Sequence, residues 1–204
     1  MTADTASPIR VFAALELPPD VHNRLGELIT ALETALPRST VRWVDALGIH
    51  LTVKFYGDVA PERLPDLQVA LKQAAENAGP MTLELRDLGV FPNPVYPRVI
   101  WVGVAGDLEK LRALQQQVEA ASAPLGFKPE ARGFTPHLTL GRVKGHLSSV
   151  DRQALAEALA RQHARADQLG AFTTETLSLM RSDLRPTGAE YTELFTTPLG
   201  GMAG

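Results

Sequence analysis

His50-Leu51-Thr52-Val53 and His137-Leu138-Thr139-Leu140 repeat one tetrapeptide, histidine-apolar-threonine-apolar, once in each half of a 204-residue chain. In an extended strand, residues i and i+2 share one face while i+1 and i+3 share the other. Each copy therefore projects a histidine and a threonine together and sends its two apolar residues into a core. The repeat predicts two strands that each offer a titratable imidazole beside a neutral hydroxyl donor.

Working outward from the two motifs, the same order of elements occurs twice. Arg10 to Leu17 reads as a strand, Pro18-Pro19-Asp20 as a helix start, and Val21 to Leu36 as an amphipathic helix through Leu25, Leu28, Ile29, Leu32 and Leu36. The strand around His50 to Phe55 follows, then a helix over Pro61 to Asn77 and a strand over Met81 to Leu88. In the second half, Val99 to Val104 is a strand and Asp107 to Ala121 a helix. Phe134 to Arg142 carries the second motif, Val150 to Gln162 is a helix, and Phe172 to Arg181 a strand. Phe12 to Ile100, His50 to His137 and Leu83 to Thr173 are 88, 87 and 90 residues apart, a near-constant offset that predicts an internal duplication. The expected fold is α+β, bilobal and duplicated, with two pseudo-symmetric lobes flanking a central active-site cleft where the histidines meet. Pro- and Gly-rich stretches at Phe91 to Pro97 and Pro124 to Pro136 read as long loops near that cleft.

Composition sets the outer limits. The chain is 45% hydrophobic and 21% charged, ordinary for a globular protein, and is expected to form one domain over residues 1–204 with flexible ends at 1–8 and 198–204. It has no cysteine, which excludes disulfides, thiolate nucleophiles and cysteine-bound metal. Neither a basic, apolar leader nor a run of about 18 apolar residues is present, so a cytoplasmic protein without a membrane partner is expected. A net charge of −3 argues against a broad duplex-DNA surface but leaves room for a small anion in a locally basic cleft.

The paired tetrapeptides, in the contexts His50-Leu51-Thr52-Val53-Lys54-Phe55-Tyr56-Gly57 and Phe134-Thr135-Pro136-His137-Leu138-Thr139-Leu140-Gly141-Arg142, resemble the two-histidine phosphoesterases. Within that superfamily they look most like the RNA 2′,3′-cyclic phosphodiesterases, also called 2′-5′ RNA ligases. The likeness runs over roughly Ile9 to Pro198. It implies a bilobal α+β fold, metal-independent opening of a cyclic phosphate and a 2′-phosphomonoester product. The implied partners are RNA 3′ ends or small nucleotides bearing a 2′,3′-cyclic phosphate, met by a monomer that uses no cofactor.

The residue chemistry suits that reaction. Opening a cyclic phosphodiester needs a base for water on one side of phosphorus and a proton for the departing ribose oxygen on the other. A histidine with an unperturbed pKa near 6.5 serves in either state around neutral pH. Thr52 and Thr139 donate to the non-bridging oxygens without a competing titration. Symmetry does not divide the roles. By the resemblance, His50 is the proton donor and His137 the proton acceptor, with Thr52 and Thr139 holding phosphate; Arg142, close behind the second motif, suits substrate binding through phosphate or ribose.

Each residue has a plainer reading as well. A single strand histidine is ordinarily structural; two in register point to catalysis or phosphate binding. His22, His146 and His163 lack the motif and are expected at the surface. Lys54 shares strand parity with His50 and Thr52, yet suits a solvated strand end equally. Strict alternation turns Arg142 away from His137 unless Gly141 bends the strand. Phe55, Phe134, Tyr96 and Trp101 are candidates for stacking a base, although core packing is the commoner job, above all for Phe55. No ligand spacing for a metal is visible, nor a G-x-S-x-G or phosphate-loop pattern. The alternatives are 2′-5′ ligation by the reverse reaction and a non-catalytic RNA-end binding module.

Overall fold

Pro19 starts the first helix at a position whose N–H has no partner within the helix, and Asp20 follows in the positive first turn. Val21, Leu25, Leu28, Ile29 and Leu32 then bury one stripe of α1 (Pro19–Thr34). The computed structural model describes residues 7–38, 40–131, 133–185 and 188–200. Around α1 lie β1 (Ile9–Leu15), β2 (Val41–Trp43), β3 (Leu51–Val59), α2 (Leu64–Glu76) and β4 (Met81–Phe91). The second half supplies β5 (Val99–Gly106), α3 (Leu108–Ser122), β6 (His137–Val143), α4 (Ser149–Ala166), β7 (Gly170–Thr174), β8 (Thr176–Arg185) and β9 (Gly188–Pro198). Ser148 caps α4 by accepting from the Asp151 N–H at 3.1 Å. The α+β class expected from the sequence is the class observed. No helix among the described residues is long and apolar enough to cross a membrane.

The strands form two antiparallel sheets, one ordered β3-β1-β8-β9 and the other β2-β6-β5-β4-β7. They correspond strand for strand around the motifs. Thr52 lies opposite Ala14, as Thr139 lies opposite Trp101, 87 residues on in both strands. Ala14 in turn faces Ser178, and Trp101 faces Gly89. The correspondence is not half against half, however. β4, from the first half, sits beside β5 in the second sheet, and β8, from the second half, sits beside β1 in the first. The offset that related Leu83 to Thr173 is not part of this correspondence: the strands carrying them, β4 and β7, are direct neighbours in one sheet.

One apolar cluster joins the helices to the inner faces of both sheets, including Leu15, Leu51, Val53, Val102, Leu138 and Leu140. A small second cluster of Phe12, Ala14 and Met180, with Tyr191 against it, lies on the other face of the first sheet. At the C-terminal end Leu199 is buried, its N–H bonds the Glu175 carbonyl at 2.8 Å, and Gly200 bonds the Ala75 carbonyl at 2.9 Å. The chain is therefore held through Gly200, beyond the Pro198 at which fraying was expected. The remainder of that expectation, at residues 1–6 and 201–204, lies outside the described residues.

Candidate active site

The two motif strands differ from ideal strands in the same way. Between Ala14 and Ala13, β3 advances two residues, from Thr52 to Lys54. Between Trp101 and Ile100, β6 likewise advances two, from Thr139 to Gly141. Val53 and Leu140 are thus the extra residues of matching β-bulges, and a bulge resets which face the following side chains take. His50, Thr52, His137 and Thr139 line one cleft, of about 200 Å3, as motif alternation requires. Past the bulges the parity flips, so that Phe55 and Arg142 also line this cleft.

That flip decides two open assignments and corrects one expectation. Arg142 faces the cleft because the strand bends where Gly141 allowed it. Lys54 turns away: its side chain is only 3% exposed, and its ammonium is paired with the Glu119 carboxylate and donates to the Lys128 carbonyl at 3.0 Å. Glu119 also accepts from the Glu130 N–H at 3.3 Å and from Gln115 at 3.1 Å. The buried pair thereby ties β3 to α3 and to the loop that leads into β6. Phe55, expected in the core, is instead 43% exposed, with the Arg10 guanidinium 4.4 Å from its ring centre.

Both histidines are held alike. His50 Nδ1–H donates to the Gly48 carbonyl at 2.9 Å, and His137 Nδ1–H to the Thr135 carbonyl at 2.7 Å. A carbonyl only accepts, so these bonds fix the proton on Nδ1 and leave Nε2 as the free nitrogen in each neutral ring. Their surroundings are unlike. Phe12 stacks on His50 with ring centres 4.4 Å apart, and Tyr191 meets it edge-on at 4.7 Å. Burial there pushes His50 from 6.5 down to about 4, against the opposing pull of the Gly48 bond and the Glu16 charge. His137 meets one ring, Phe91, edge-on at 5.0 Å, and Phe91 stacks in turn on Trp101. Trp101 lies so close over Gly89 that a β-carbon there would come within 2.2 Å of the indole.

The sequence did not single out Arg10, Phe12, Ser182 or Tyr191 as cleft residues, yet all four line it. Tyr191 sits on β9, a strand without apolar periodicity, and carried no signal. His22, expected at the surface, is half-buried and donates to the Ala46 carbonyl at 2.7 Å, bracing the turn that presents Gly48 to His50. His146 is exposed. His163 is exposed too, in a surface cluster with Asp87 and Asp167. Tyr96 is 60% exposed on the Phe91 to Pro97 loop, outside the cleft lining, and Phe134 packs against the core.

Two imidazoles with free Nε2 atoms, two threonines and two arginines around one cleft can exchange protons with an anion and hold its oxygens. Comparison with known proteins bears on that chemistry. A 33% identical RNA 2′,3′-cyclic phosphodiesterase of Methanothermobacter thermautotrophicus aligns over 186 residues, 91% of this chain and 96% of its own. One from Aquifex aeolicus is 31% identical over 78% of this chain and 82% of its own. The crystal structure of TT0787 of Thermus thermophilus superposes with a TM-score of 0.76 at 26% identity, covering 95% of this chain and all of that one. Escherichia coli LigT complexed with 3′-AMP shares the fold, with a TM-score of 0.71 at 22% identity over 94% of this chain and 98% of its own. The 2′-5′ RNA ligase superfamily model matches residues 17–186, a span that holds both motifs, and the chain belongs to that superfamily.

Proposed function

We propose that this protein hydrolyses RNA or nucleotide 2′,3′-cyclic phosphates to 2′-phosphomonoesters by general acid–base catalysis with His50 and His137. The observation that carries the reading is the paired Nδ1–carbonyl bond, which leaves two free Nε2 atoms on one cleft. In the reaction, His137 Nε2 takes a proton from water as the water oxygen bonds to phosphorus. The P–O3′ bond breaks, and His50 delivers its proton to O3′, leaving a 3′-hydroxyl and a 2′-phosphate. Thr52 and Thr139 donate to the non-bridging oxygens, and Arg142 balances their charge. Both motifs come from one chain, so a monomer suffices. The substrate is single-stranded, met in the cytoplasm, and duplex DNA is no partner of a chain with net charge −3.

His50 is neutral near pH 7, because burial disfavours its charge. As donor it takes up its proton with the substrate, whose negative phosphate and the facing Phe12 ring both favour an imidazolium. The same depression supports a second reading in which the roles are exchanged and His50 is the base. An aryl phosphodiester with a good leaving group separates them. It needs no acid, so it restores turnover to His50→Ala in the first reading and to His137→Ala in the second. The superfamily's ligase activity supports the reverse reaction as a further mode, with a 5′-hydroxyl in place of water.

The deciding experiment incubates a short RNA ending in a 2′,3′-cyclic phosphate with purified protein and EDTA. A 2′-phosphate product is expected, since the proposed proton transfers need no metal. Activity abolished by EDTA and restored by a divalent ion, or a 3′-phosphate product, overturns the mechanism.

A further inference from the structure

The correspondence between the sheets fails at one place. The first sheet ends at its motif strand β3, whereas the second carries β2 outside its motif strand β6. β2 is short, and its side chains alternate strictly: Val41 is buried, Arg42 exposed, and Trp43 half-buried. Val44, whose N–H donates to the Leu140 carbonyl at 2.9 Å, again lines the cleft. The docking is close because residue 141 is glycine; a β-carbon there would lie 2.7 Å from Val41 and 2.9 Å from Trp43.

Arg42 lies directly opposite Arg142 in the antiparallel register. Directly opposed residues on neighbouring strands, about 4.8 Å apart, project from the same face. Since Arg142 faces the cleft, Arg42 leaves from the cleft side as well. Lys144, two residues past Arg142, is exposed and continues the row, with its N–H bound to the Thr40 carbonyl at 2.8 Å. Among the described residues none of these three cations forms an ion pair. Like charges set opposite each other repel. In a chain of net charge −3, such a row is a local feature of the cleft's rim.

We infer that Arg42 and Lys144, flanking Arg142, bind the phosphodiester on the 5′ side of the terminal nucleotide, so that single-stranded RNA ends are preferred over free nucleoside 2′,3′-cyclic phosphates. The inference rests on the reading of the cleft as the site that opens the cyclic end. An RNA chain has one further negative charge per nucleotide, and it must leave the cleft over a rim. Beyond His137 and Thr139 that rim is β2. A guanidinium grips a phosphodiester with two parallel N–H bonds, which suits arginine at the position nearest the cleft. The row is short, enough for one or two phosphates and no more.

The test has two arms. The first compares turnover of a nucleoside 2′,3′-cyclic monophosphate with that of a tetranucleotide ending in the same cyclic nucleotide. The second measures binding of a tetranucleotide with a 3′-terminal phosphate across a salt series. Arg42→Ala is expected to lower kcat/KM on the tetranucleotide about tenfold more than on the mononucleotide. It should also flatten the salt slope of binding by about 0.7, the share of one single-strand phosphate contact. Arg42→Lys should keep most of the slope, since it keeps the charge. Equal losses on both substrates, or a wild-type slope and preference in Arg42→Ala, overturn the row. If the wild-type protein binds the tetranucleotide but turns over neither substrate, the catalytic reading fails, and the binding arm still decides the role of Arg42.

Discussion

The two motif strands are the same backbone in different company. β3 and β6 share pairing register, bulge position and the Nδ1–carbonyl bond that aims each histidine. At equivalent positions around them, Phe12 matches Val99, Ala14 matches Trp101 and Met180 matches Phe91. Each histidine thus packs against an aromatic ring, supplied by β1 under His50 and by β4 under His137. Behind the bulge, one strand has Lys54 in a buried ion pair and the other has Gly141 with β2 pressed against it. The tetrapeptide sets where an imidazole points. Its neighbours set how readily it holds a proton, as burial beside Phe12 and Tyr191 does for His50.

The comparison breaks first at the histidines. His50→Ala and His137→Ala should each lose most of the activity while remaining folded, and the double variant should be little worse than either, because groups that act in one step are not additive. Turnover on the cyclic phosphate checks this. Clear additivity of the two losses would mean that the histidines work separately.

Next is the difference behind the bulges. Lys54→Met leaves the Glu119 carboxylate buried without its partner and should destabilise the fold by about 3–5 kcal/mol, as seen when one member of a buried pair is removed. Lys54→Met combined with Glu119→Leu should recover much of the loss. Urea unfolding measures both, and a single variant as stable as wild type would deny the pair any part in holding β3 to α3.

The threonines test the shared part. Thr52→Ala and Thr139→Ala should each lower kcat by roughly 10²–10³, the cost of one donor to a charged transition state, and by similar factors if the half-sites are equivalent there. A tenfold gap between the two would move the asymmetry from the histidines to the phosphate donors.

The smallest effect is in stability against pH. Since burial holds folded His50 near 4 while the unfolded residue titrates near 6.5, the unfolded state binds the extra proton between those values. The contribution is fully present above pH 6.5 and is lost as pH falls toward 4, by up to about 3 kcal/mol. The stability of wild type relative to His50→Asn should therefore decline across that window. A difference that stays constant from pH 7 to 4 would show that His50 is not held neutral by burial.

The parts of this molecule that repeat were legible in its sequence. The helices followed from apolar spacing such as Val21, Leu25, Leu28, Ile29 and Leu32, and the motif faces from period-two alternation. β2 and β9 were not legible. β2 is three residues long and gives no period to read, while β9 pairs along one side of β8 with polar residues such as Thr192, Glu193 and Thr196 exposed or half-buried. Tyr191 was lost with it. Nor does composition mark a bulge: Leu-Thr-Val-Lys reads as plain alternation, and the extra residue is defined only by the partner strand. The altered titration of His50 depends on Phe12 and Tyr191, 38 and 141 residues away in sequence, so no local pattern announced it.

The crossing of β4 and β8 into each other's sheets also sets the order in which the chain completes itself. The first sheet contains β1 from the start of the chain, but β1 pairs with β8, which is made only by residues 176–185. During synthesis, most of the polypeptide has emerged before that sheet has its central partner, and closing so long a loop is slow. Neither half of the chain owns a finished sheet, so a ribosome-bound fragment ending before β8 leaves β1 with one open edge, a surface for chaperones to shield or for another nascent chain to seize.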